Sequence, residues 1–131
     1  MSLLFADGGA AFARQWAEAW NRRDVECVLS KFADDAVFMT PYSQALGMPA
    51  PIQGKDELRK YWILALSRVR GELRFEVETV LVDERARAIT IVYDSHRGHD
   101  RTRAVEIMHL DDKMERVVRA EALYGAVFFP E

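Results

Sequence analysis

A single carboxylate lies in the middle of the apolar segment TRAVEIMHLDD, and its surroundings indicate proton chemistry. If the segment is a β-strand, alternation gives Glu106 small or apolar neighbours on its own face, Thr102, Ala104, Met108 and Leu110. The opposite face is also half apolar, with Arg103, Val105, Ile107 and His109. A strand with two such faces is typically covered on both sides, so the carboxylate is predicted to be buried. A buried carboxylate must be paired, protonated or functional.

Two interpretations of Glu106 follow. In the structural one, it forms an ion pair with an arginine of a neighbouring strand, such as Arg119. In the catalytic one, aromatic walls raise its pKa, and it protonates or deprotonates an oxygen-bearing ligand near neutral pH. Tyr93 is the predicted phenol partner, because it shares a face of the adjacent strand with Ile89 and Ile91.

The other chemically capable residues form weaker patterns. His96 and His99 lie near Asp94 and Asp100 in YDSHRGHDR, but a hairpin turn around Gly98 explains this cluster without a metal. The single cysteine stands between apolar neighbours and is predicted to be a core residue. The chain has no glycine-rich phosphate loop and no G-x-S-x-G sequence. The sequence therefore predicts neither a metal site nor a cofactor.

The composition is typical of a globular protein. The chain has 131 residues, of which 50% are apolar and 30% charged, with a net charge of −3. This length predicts one domain over residues 1–131, and the negative charge argues against a nucleic-acid partner. The single cysteine excludes an internal disulfide and favours a cytoplasmic location. The lack of any apolar run of about 18 residues argues against a membrane partner.

Helices are predicted to precede most of the strands. The first helix is expected from about Gly9 to Arg22, with Asp7 as its N-cap. Its apolar stripe is Phe12, Ala13, Trp16, Ala17 and Trp20. Asp24 is predicted to cap a short second helix, whose inner face is Val25, Val28, Leu29 and Phe32.

A third helix is predicted in GKDELRKYWILALSRVRG. Its apolar face is Leu58, Tyr61, Trp62, Ala65, Leu66 and Val69. Asp56 and Glu57 are expected in its first turn and Arg68 and Arg70 in its last, which suits the helix dipole. Gly71 is the predicted stop signal.

After this helix the apolar period changes to two. The segments LRFEVETVLVDE, ARAITIVYDSH, TRAVEIMHLDD and RVVRAEALYG predict an antiparallel meander of four strands. Val37 to Thr40 in FADDAVFMTP predicts a further strand, which ends at Pro41. Helices that cover one face of such a sheet give an α+β architecture. The loop over residues 41–54 is either a lid or binding segment or a plain surface connection.

This order of elements resembles the nuclear-transport-factor-2-like superfamily, also called SnoaL-like. WNRRDVECVLSKFADDAVF is similar to the opening of that superfamily, IQGKDELRKYW to its third helix, and VEIMHLDD with RVVRAEALYG to its closing hairpin. The resemblance implies a cone-shaped, curved antiparallel sheet wrapped around three N-terminal helices, with a ligand pocket in the open end. The superfamily includes ketosteroid isomerase, polyketide cyclases, scytalone dehydratase, limonene epoxide hydrolase and non-catalytic binding modules.

The resemblance to ketosteroid isomerase implies a remodelled site. The general base of that enzyme, an aspartate before the proline that ends the strand, corresponds to Thr40, which cannot take a carbon-bound proton at neutral pH. Its first-helix tyrosine corresponds to Trp16 and a supporting tyrosine to Trp62, and an indole donates a hydrogen bond but is not a proton acid. Its second acid, a carboxyl held neutral to donate a hydrogen bond, corresponds to Glu106.

Together these observations predict a protein that binds a small hydrophobic molecule in the cone. It is expected to be an isomerase, dehydratase or cyclase with Glu106 and Tyr93 as catalytic residues, or else a non-catalytic ligand-binding or dimerisation module. The predicted substrate-binding residues are Trp16, Trp20, Phe38, Thr40, Tyr42, Trp62, Ile91, Met108 and Tyr124.

A homodimer is predicted through the outer face of the sheet. Val105, Ile107, His109 and Leu123 would otherwise leave an apolar patch in water. Members of the nuclear-transport-factor-2-like superfamily, which this sequence resembles, often form dimers through this face.

Overall fold

The computed structural model of the chain describes residues 8–128. Its α-helices are α1 (Gly8–Asn21), α2 (Val25–Leu29) and α3 (Lys55–Ser67), and a short 3-10 helix lies at Gln44–Leu46. Its strands are β1 (Phe32–Met39), β2 (Ile52–Gln53), β3 (Leu73–Asp83), β4 (Ala88–Arg97), β5 (Asp100–Leu110) and β6 (Val117–Phe128). The α+β class predicted from the sequence is confirmed. Within the described range, no helix is long and apolar enough to cross a membrane.

The six strands form one curved, unclosed sheet in the order β2-β1-β6-β5-β4-β3. Strands β3 to β6 form the predicted antiparallel meander. One pair departs from the antiparallel pattern, because β1 lies parallel to β6, with Val37 opposite Arg119. These two strands are far apart in the chain, so no hairpin dictates their relative direction. The parallel pair attaches β1 and β2 to the meander and completes the sheet.

Breaks in the strand register help the sheet to bend. The β3–β4 ladder shifts between Val77 and Thr79, and the β5–β6 ladder shifts between Thr102 and Ala104. Such irregularities bend a strand and increase its twist. Val77, the last residue before the first shift, is 36% exposed, whereas Leu73 at the start of the same strand is buried.

Helix α1 forms because its apolar residues recur at helical spacing. Its predicted stripe is buried, Phe12, Ala13, Trp16, Ala17 and Trp20. The helix packs along β3, and a Cβ at Gly9 would lie 2.7 Å from Val82 Cγ2. Asp7, its predicted N-cap, lies outside the described residues. Asp24 caps α2 as predicted, since its Oδ1 accepts a hydrogen bond from the Cys27 N–H at 3.0 Å.

The predicted ends of two elements are wrong. Helix α3 stops at Ser67, not at Gly71, because the last turn closes through hydrogen bonds from the Arg68 N–H to the Ala65 carbonyl and from the Val69 N–H to the Leu66 carbonyl. Arg68 and Arg70 therefore lie beyond the helix. Strand β1 begins at Phe32, earlier than predicted, because β6 continues beside it to Val117. Phe32 accordingly belongs to that strand and not to α2.

The loop over residues 41–54 contains no long element, in agreement with its prolines and glycines. It does contain the 3-10 helix and β2, which pairs with β1 through Ile52 and Phe38. Ser43 is fully buried, and its hydroxyl donates to the Thr40 carbonyl at 3.3 Å. The loop is therefore packed against the domain over much of its length.

Candidate functional site

Glu106 lies where three strands bring inward-facing side chains together. Its cross-strand neighbours are Ile91 of β4 and Ala122 of β6. At the next inward position of β5, Ala104 lies between Tyr93 of β4 and Tyr124 of β6. The small alanines leave space over the sheet beside the carboxyl, and the two tyrosines flank that space.

Aromatic side chains of α1 and α3 face this space. Trp16 stacks on Phe75 of β3 with 5.5 Å between ring centroids and meets Tyr93 edge-on at 4.9 Å. Trp20, one turn later, meets Trp62 of α3 edge-on at 5.2 Å. Such ring pairs each contribute about 0.5–1.5 kcal/mol beyond the burial of their surface. The walls are therefore held in fixed orientations.

The strands and rings form a narrow cavity with an open mouth. The empty volume between its walls, with the open mouth included, is about 530 Å³. The volume in which the centre of a water molecule fits without overlapping the walls is only about 70 Å³. This slot fits a thin, flat molecule better than a bulky polycyclic one. The lining residues are Trp16, Trp20, Phe38, Tyr61, Trp62, Ala65, Leu66, Val69, Leu73, Phe75, Tyr93, Arg97, Glu106 and Tyr124.

The Glu106 carboxyl is buried without a counter-charge. Glu106 is 5% exposed, and no basic residue within residues 8–128 forms an ion pair with it. Burial raises its pKa to about 8, because the apolar surroundings disfavour the charged form. The ion pair considered from the sequence does not form, since Arg119 lies opposite His109 on the outer side of the sheet and is exposed.

The indole N–H of Trp16 acts against this rise. It faces the carboxyl and lowers the pKa of Glu106, because a donor favours the charged form. Yet the approach falls short of a normal hydrogen bond, and Trp16 Nε1 has no hydrogen-bond partner in the described part of the chain. A buried donor in this state costs about 1–3 kcal/mol. A ligand oxygen within hydrogen-bonding distance of both groups would satisfy the indole N–H and accept from the protonated carboxyl.

The two tyrosines that flank Ala104 remain neutral phenols. Burial, with the nearby Glu106 as a second cause, raises the pKa values of both Tyr93 and Tyr124 well above the usual range. The Tyr93 hydroxyl also interacts with that of Tyr124. These hydroxyls can therefore donate and accept hydrogen bonds inside the cavity, but they do not act as phenolate bases.

The predicted site residues fall into two groups. Those that line the cavity are Trp16, Trp20, Phe38, Trp62, Tyr93, Glu106 and Tyr124. The others do not line it. Ile91 and Met108 are fully buried in the core, the ring of Tyr42 contacts that of Tyr124 in a tilted arrangement with 4.7 Å between centroids, and Thr40 follows the last residue of β1.

Thr40 organises the start of the loop. It is 6% exposed, and its Oγ1 accepts a hydrogen bond from the Tyr42 N–H at 3.4 Å. Its hydroxyl also interacts with that of Tyr61, which partly opposes the rise that burial causes in the Tyr61 pKa. The position that carries the base in ketosteroid isomerase thus holds a neutral side chain engaged with its own loop.

Several lining residues were missed from the sequence, above all Arg97, Tyr61 and Phe75. Arg97 shares the inward face of β4 with Ile91 and Tyr93, which were chosen, so alternation alone predicts its inward direction. No residue of β3 was chosen, although Phe75 alternates with Leu73 on that strand. Tyr61 was assigned to the apolar face of α3, and its neighbour Trp62 was preferred for the site. What the sequence does not contain is the curvature that brings the end of β4 over the mouth.

The histidine cluster does not assemble a metal site. No group of three or more potential ligands among His, Cys, Asp and Glu comes together within residues 8–128. His96 Nε2 lies 3.1 Å from Glu76 Oε1, and the turn at Gly98 joins β4 to β5 as expected from the sequence.

Comparison with known proteins gives one family and many structural neighbours. The model of the SnoaL-like domain matches residues 13–120. A SnoaL-like protein of unknown function from Burkholderia thailandensis has a crystal structure that is 30% identical in sequence, with a TM-score of 0.77 over 90% of this chain and 95% of that one. None of the proteins with curated descriptions matches the sequence.

Two more distant structures share the fold. One is an NTF2-like protein of unknown function from Burkholderia xenovorans, with 18% identity and a TM-score of 0.69 over 94% of this chain and 87% of that one. The other is a protein with a ketosteroid isomerase-like fold from Catenulispora acidiphila, in complex with trimethylamine. It has 13% identity and a TM-score of 0.65 over 86% of this chain and 84% of that one. At these identities the likeness concerns the fold alone.

Proposed function

The chain belongs to the SnoaL-like domain family, and we propose that it binds a small apolar, oxygen-bearing molecule in the cavity and exchanges a proton with it through Glu106. The observation that carries this proposal is the Glu106 carboxyl, which is buried among aromatic rings without a counter-charge. An uncompensated ionisable group in a cleft is costly for folding, so its presence favours a functional role.

A carboxyl whose pKa is about 8 suits proton transfer near neutral pH. It is mostly protonated there and can donate to a carbonyl or hydroxyl oxygen of the ligand. After donation, the carboxylate can take a proton from a neighbouring carbon. For a dehydration, this sequence releases the hydroxyl as water, forms the carbon–carbon double bond and returns the proton to Glu106. An isomerisation or an aldol-type cyclisation needs the same two transfers.

The neighbouring donors would hold the ligand oxygen. Trp16 supplies an indole N–H that lacks a partner, and Tyr93 and Tyr124 supply neutral hydroxyls one position further along the sheet. Tyr93 therefore acts in this proposal by hydrogen bonding. The rings of Trp20, Phe38 and Trp62 would contact the apolar body of the ligand.

Solvent deuterium exchange tests the proposal without knowledge of the natural substrate. We would incubate small aryl ketones and hydroxy ketones in deuterated buffer and follow exchange at the carbon next to the carbonyl by NMR. The protein is expected to accelerate exchange for some of these compounds, and Glu106→Gln to lower that rate on the order of 10²-fold or more. Glu78→Gln is the matched control, because Glu78 is a half-exposed carboxylate paired with Arg103 on the outer face. Acceleration that survives in Glu106→Gln would contradict the proposal.

Binding without turnover is the second candidate, and Thr40 favours it. No second carboxylate lines the cavity among the described residues, and the position that holds a base in ketosteroid isomerase is a threonine. A ligand that binds to both the native protein and Glu106→Gln, with no exchange catalysed by either, would favour this candidate.

We also propose a homodimer through the outer sheet face. Val105, Ile107 and His109 on β5 are only half-buried, and Leu123 on β6, opposite Val105, is 46% exposed. A second copy of the chain would cover this strip. The single cysteine remains the ground on which we propose a cytoplasmic location.

A further inference from the structure

We propose that Arg97 is an anion-binding residue at the mouth of the cavity, and that the ligand is a small flat acid whose carboxylate binds there while its apolar body extends towards Glu106. The part of this inference that concerns the Glu106 end rests on the proposed function. The part that concerns Arg97 does not.

The strand geometry brings Arg97 to the mouth. On β4 the inward side chains are Ile91, Tyr93, Ser95 and Arg97, so the arginine is the last of the inward row. The adjacent Gly98 N–H donates to the Glu72 carbonyl at 2.7 Å, and a Cβ at Gly98 would lie 2.6 Å from the Arg70 carbonyl oxygen. This close contact fixes the hairpin tip against the connection between α3 and β3. The backbone of Arg97 is therefore held in place.

Two aromatic rings hold the guanidinium. Its central carbon lies 5.2 Å from the ring centroid of Tyr42 and 5.3 Å from that of Tyr124, and the two rings contact each other with 4.7 Å between centroids. Cation–π contacts of this kind orient an arginine without using its N–H donors. Arg97 is thus positioned, and its hydrogen-bonding edge remains available.

Arg97 also differs from the arginines around it. Arg101 pairs with Asp94 at 2.8 Å, Arg103 with Glu78 at 2.5 Å, and Arg74 with Glu72 at 3.4 Å. In the described part of the chain, by contrast, no carboxylate pairs with Arg97, although it is half-buried and lines the cavity. A planar guanidinium with free donors is the side chain best suited to bind a carboxylate by two parallel hydrogen bonds.

The charge of Arg97 acts on the hydroxyl groups near the mouth of the cavity. It opposes the rise in the pKa of Tyr61, Tyr93 and Tyr124, so its field favours negative charge near these three hydroxyls. Glu106 lies opposite Ile91, three inward positions before Arg97 on β4, and therefore belongs to the other end of the cavity. The cavity therefore has a cationic end at Arg97 and, at the other end, a neutral acid with the unpaired indole N–H of Trp16. A ligand that satisfies both ends carries a carboxylate and, separated from it by a flat apolar body, a carbonyl or hydroxyl oxygen.

Matched pairs of ligands test this inference directly. The probes are benzoate, phenylacetate and β-benzoylpropionate, each compared with its primary amide, which keeps the shape and removes the charge. Binding is measured near neutral pH by calorimetry and by quenching of tryptophan fluorescence. We expect at least one acid to bind roughly 10-fold or more tightly than its amide, because hydrogen bonds to a charged group are the strong ones.

Variants then assign the preference to its residue. Arg97→Gln is expected to abolish the preference for the acid over the amide. Arg101→Gln removes an arginine from the same hairpin outside the cavity and is expected to leave the preference unchanged. Glu106→Gln is expected to retain the preference for the acid. Anion binding at Arg97 can therefore be observed even if the proton-transfer proposal for Glu106 fails. The inference is overturned if no acid of the panel binds more tightly than its amide, and an acid that does not bind at all counts as such a result. It is also overturned if Arg97→Gln binds the acid as tightly as the native protein does.

Discussion

The indole N–H of Trp16 faces the carboxyl of Glu106, and Trp16 Nε1 has no normal hydrogen-bond partner in the part of the chain that the structure describes. A buried donor and a buried acid left beside each other in this way are costly for the folded state. Both costs fall when a ligand oxygen forms hydrogen bonds with both groups. The pair therefore links the packing of the core to the proposed function.

The pH dependence of stability should reveal the burial of Glu106. Its carboxyl titrates near 4.5 in the unfolded chain and near 8 in the folded one, so between these pH values the folded state binds more protons. Its contribution to stability is therefore fully present below about 4.5 and is lost as the pH rises towards 8, with an upper limit of about 5 kcal/mol.

Urea titrations of the native protein and of Glu106→Gln at several pH values measure this effect. The native protein is expected to lose stability relative to the variant across that range. Parallel curves for the two proteins would show that Glu106 does not titrate as the structure indicates.

Trp16→Phe should shift the titration of Glu106 further upward. The substitution removes the donor that favours the carboxylate, and it keeps most of the aromatic contact with Phe75 and Tyr93. The free energy of unfolding should change little, because the loss of packing is offset by the removal of an unpaired buried donor. NMR titration of the Glu106 side-chain carbon in both proteins gives the answer. A lower pKa in the variant would contradict the assigned role of the indole.

No ketosteroid isomerase activity is expected. Thr40 stands in the place of the base and Trp16 in the place of the phenol, and positioned acid–base groups each typically contribute on the order of 10²–10⁴-fold. The narrow cavity also disfavours a four-ring substrate. The usual spectrophotometric assay with an unsaturated ketosteroid checks this prediction, and turnover near the rate of an evolved enzyme would refute it.

The outer face of the sheet should mediate a dimer. Light scattering at micromolar concentration is expected to give twice the mass of the chain, and Leu123→Glu to reduce it to one chain. Ile63→Glu is the matched control, since Ile63 is 54% exposed on α3, which lies on the other side of the sheet from the proposed interface. A single-chain mass for the native protein would rule the dimer out.

Much of the fold could be predicted from the sequence because its patterns are local. The spacing of Trp16 and Trp20, the cap at Asp24 and the period-two segments after Gly71 each depend on neighbours within a few residues. The position of Glu106 followed from strand alternation for the same reason. The end of α3 was misplaced because an arginine N–H, and not a glycine, closes its last turn.

The composition of the site was harder to predict because it depends on contacts between distant segments. Arg97 lies at the mouth because the hairpin tip packs against Arg70 and Glu72, and nothing in the strand pattern specifies that contact. The parallel pairing of β1 with β6 likewise joins segments far apart in the chain. Ile91 and Met108 share the inward face with Glu106, but helices cover them, so alternation alone could not separate the core from the cavity.

The proposed proton transfer depends on the pKa of Glu106, which carbon NMR on protein labelled at the glutamate side chain measures. Glu106→Gln identifies the resonance, and Glu78→Gln controls for the spectral effect of losing one carboxylate. We expect the Glu106 carboxyl to titrate with a midpoint near 8, because it is buried without a counter-charge. A midpoint at or below the ordinary value of 4.5 would show that the carboxyl is solvated or paired, and would contradict the proposed function.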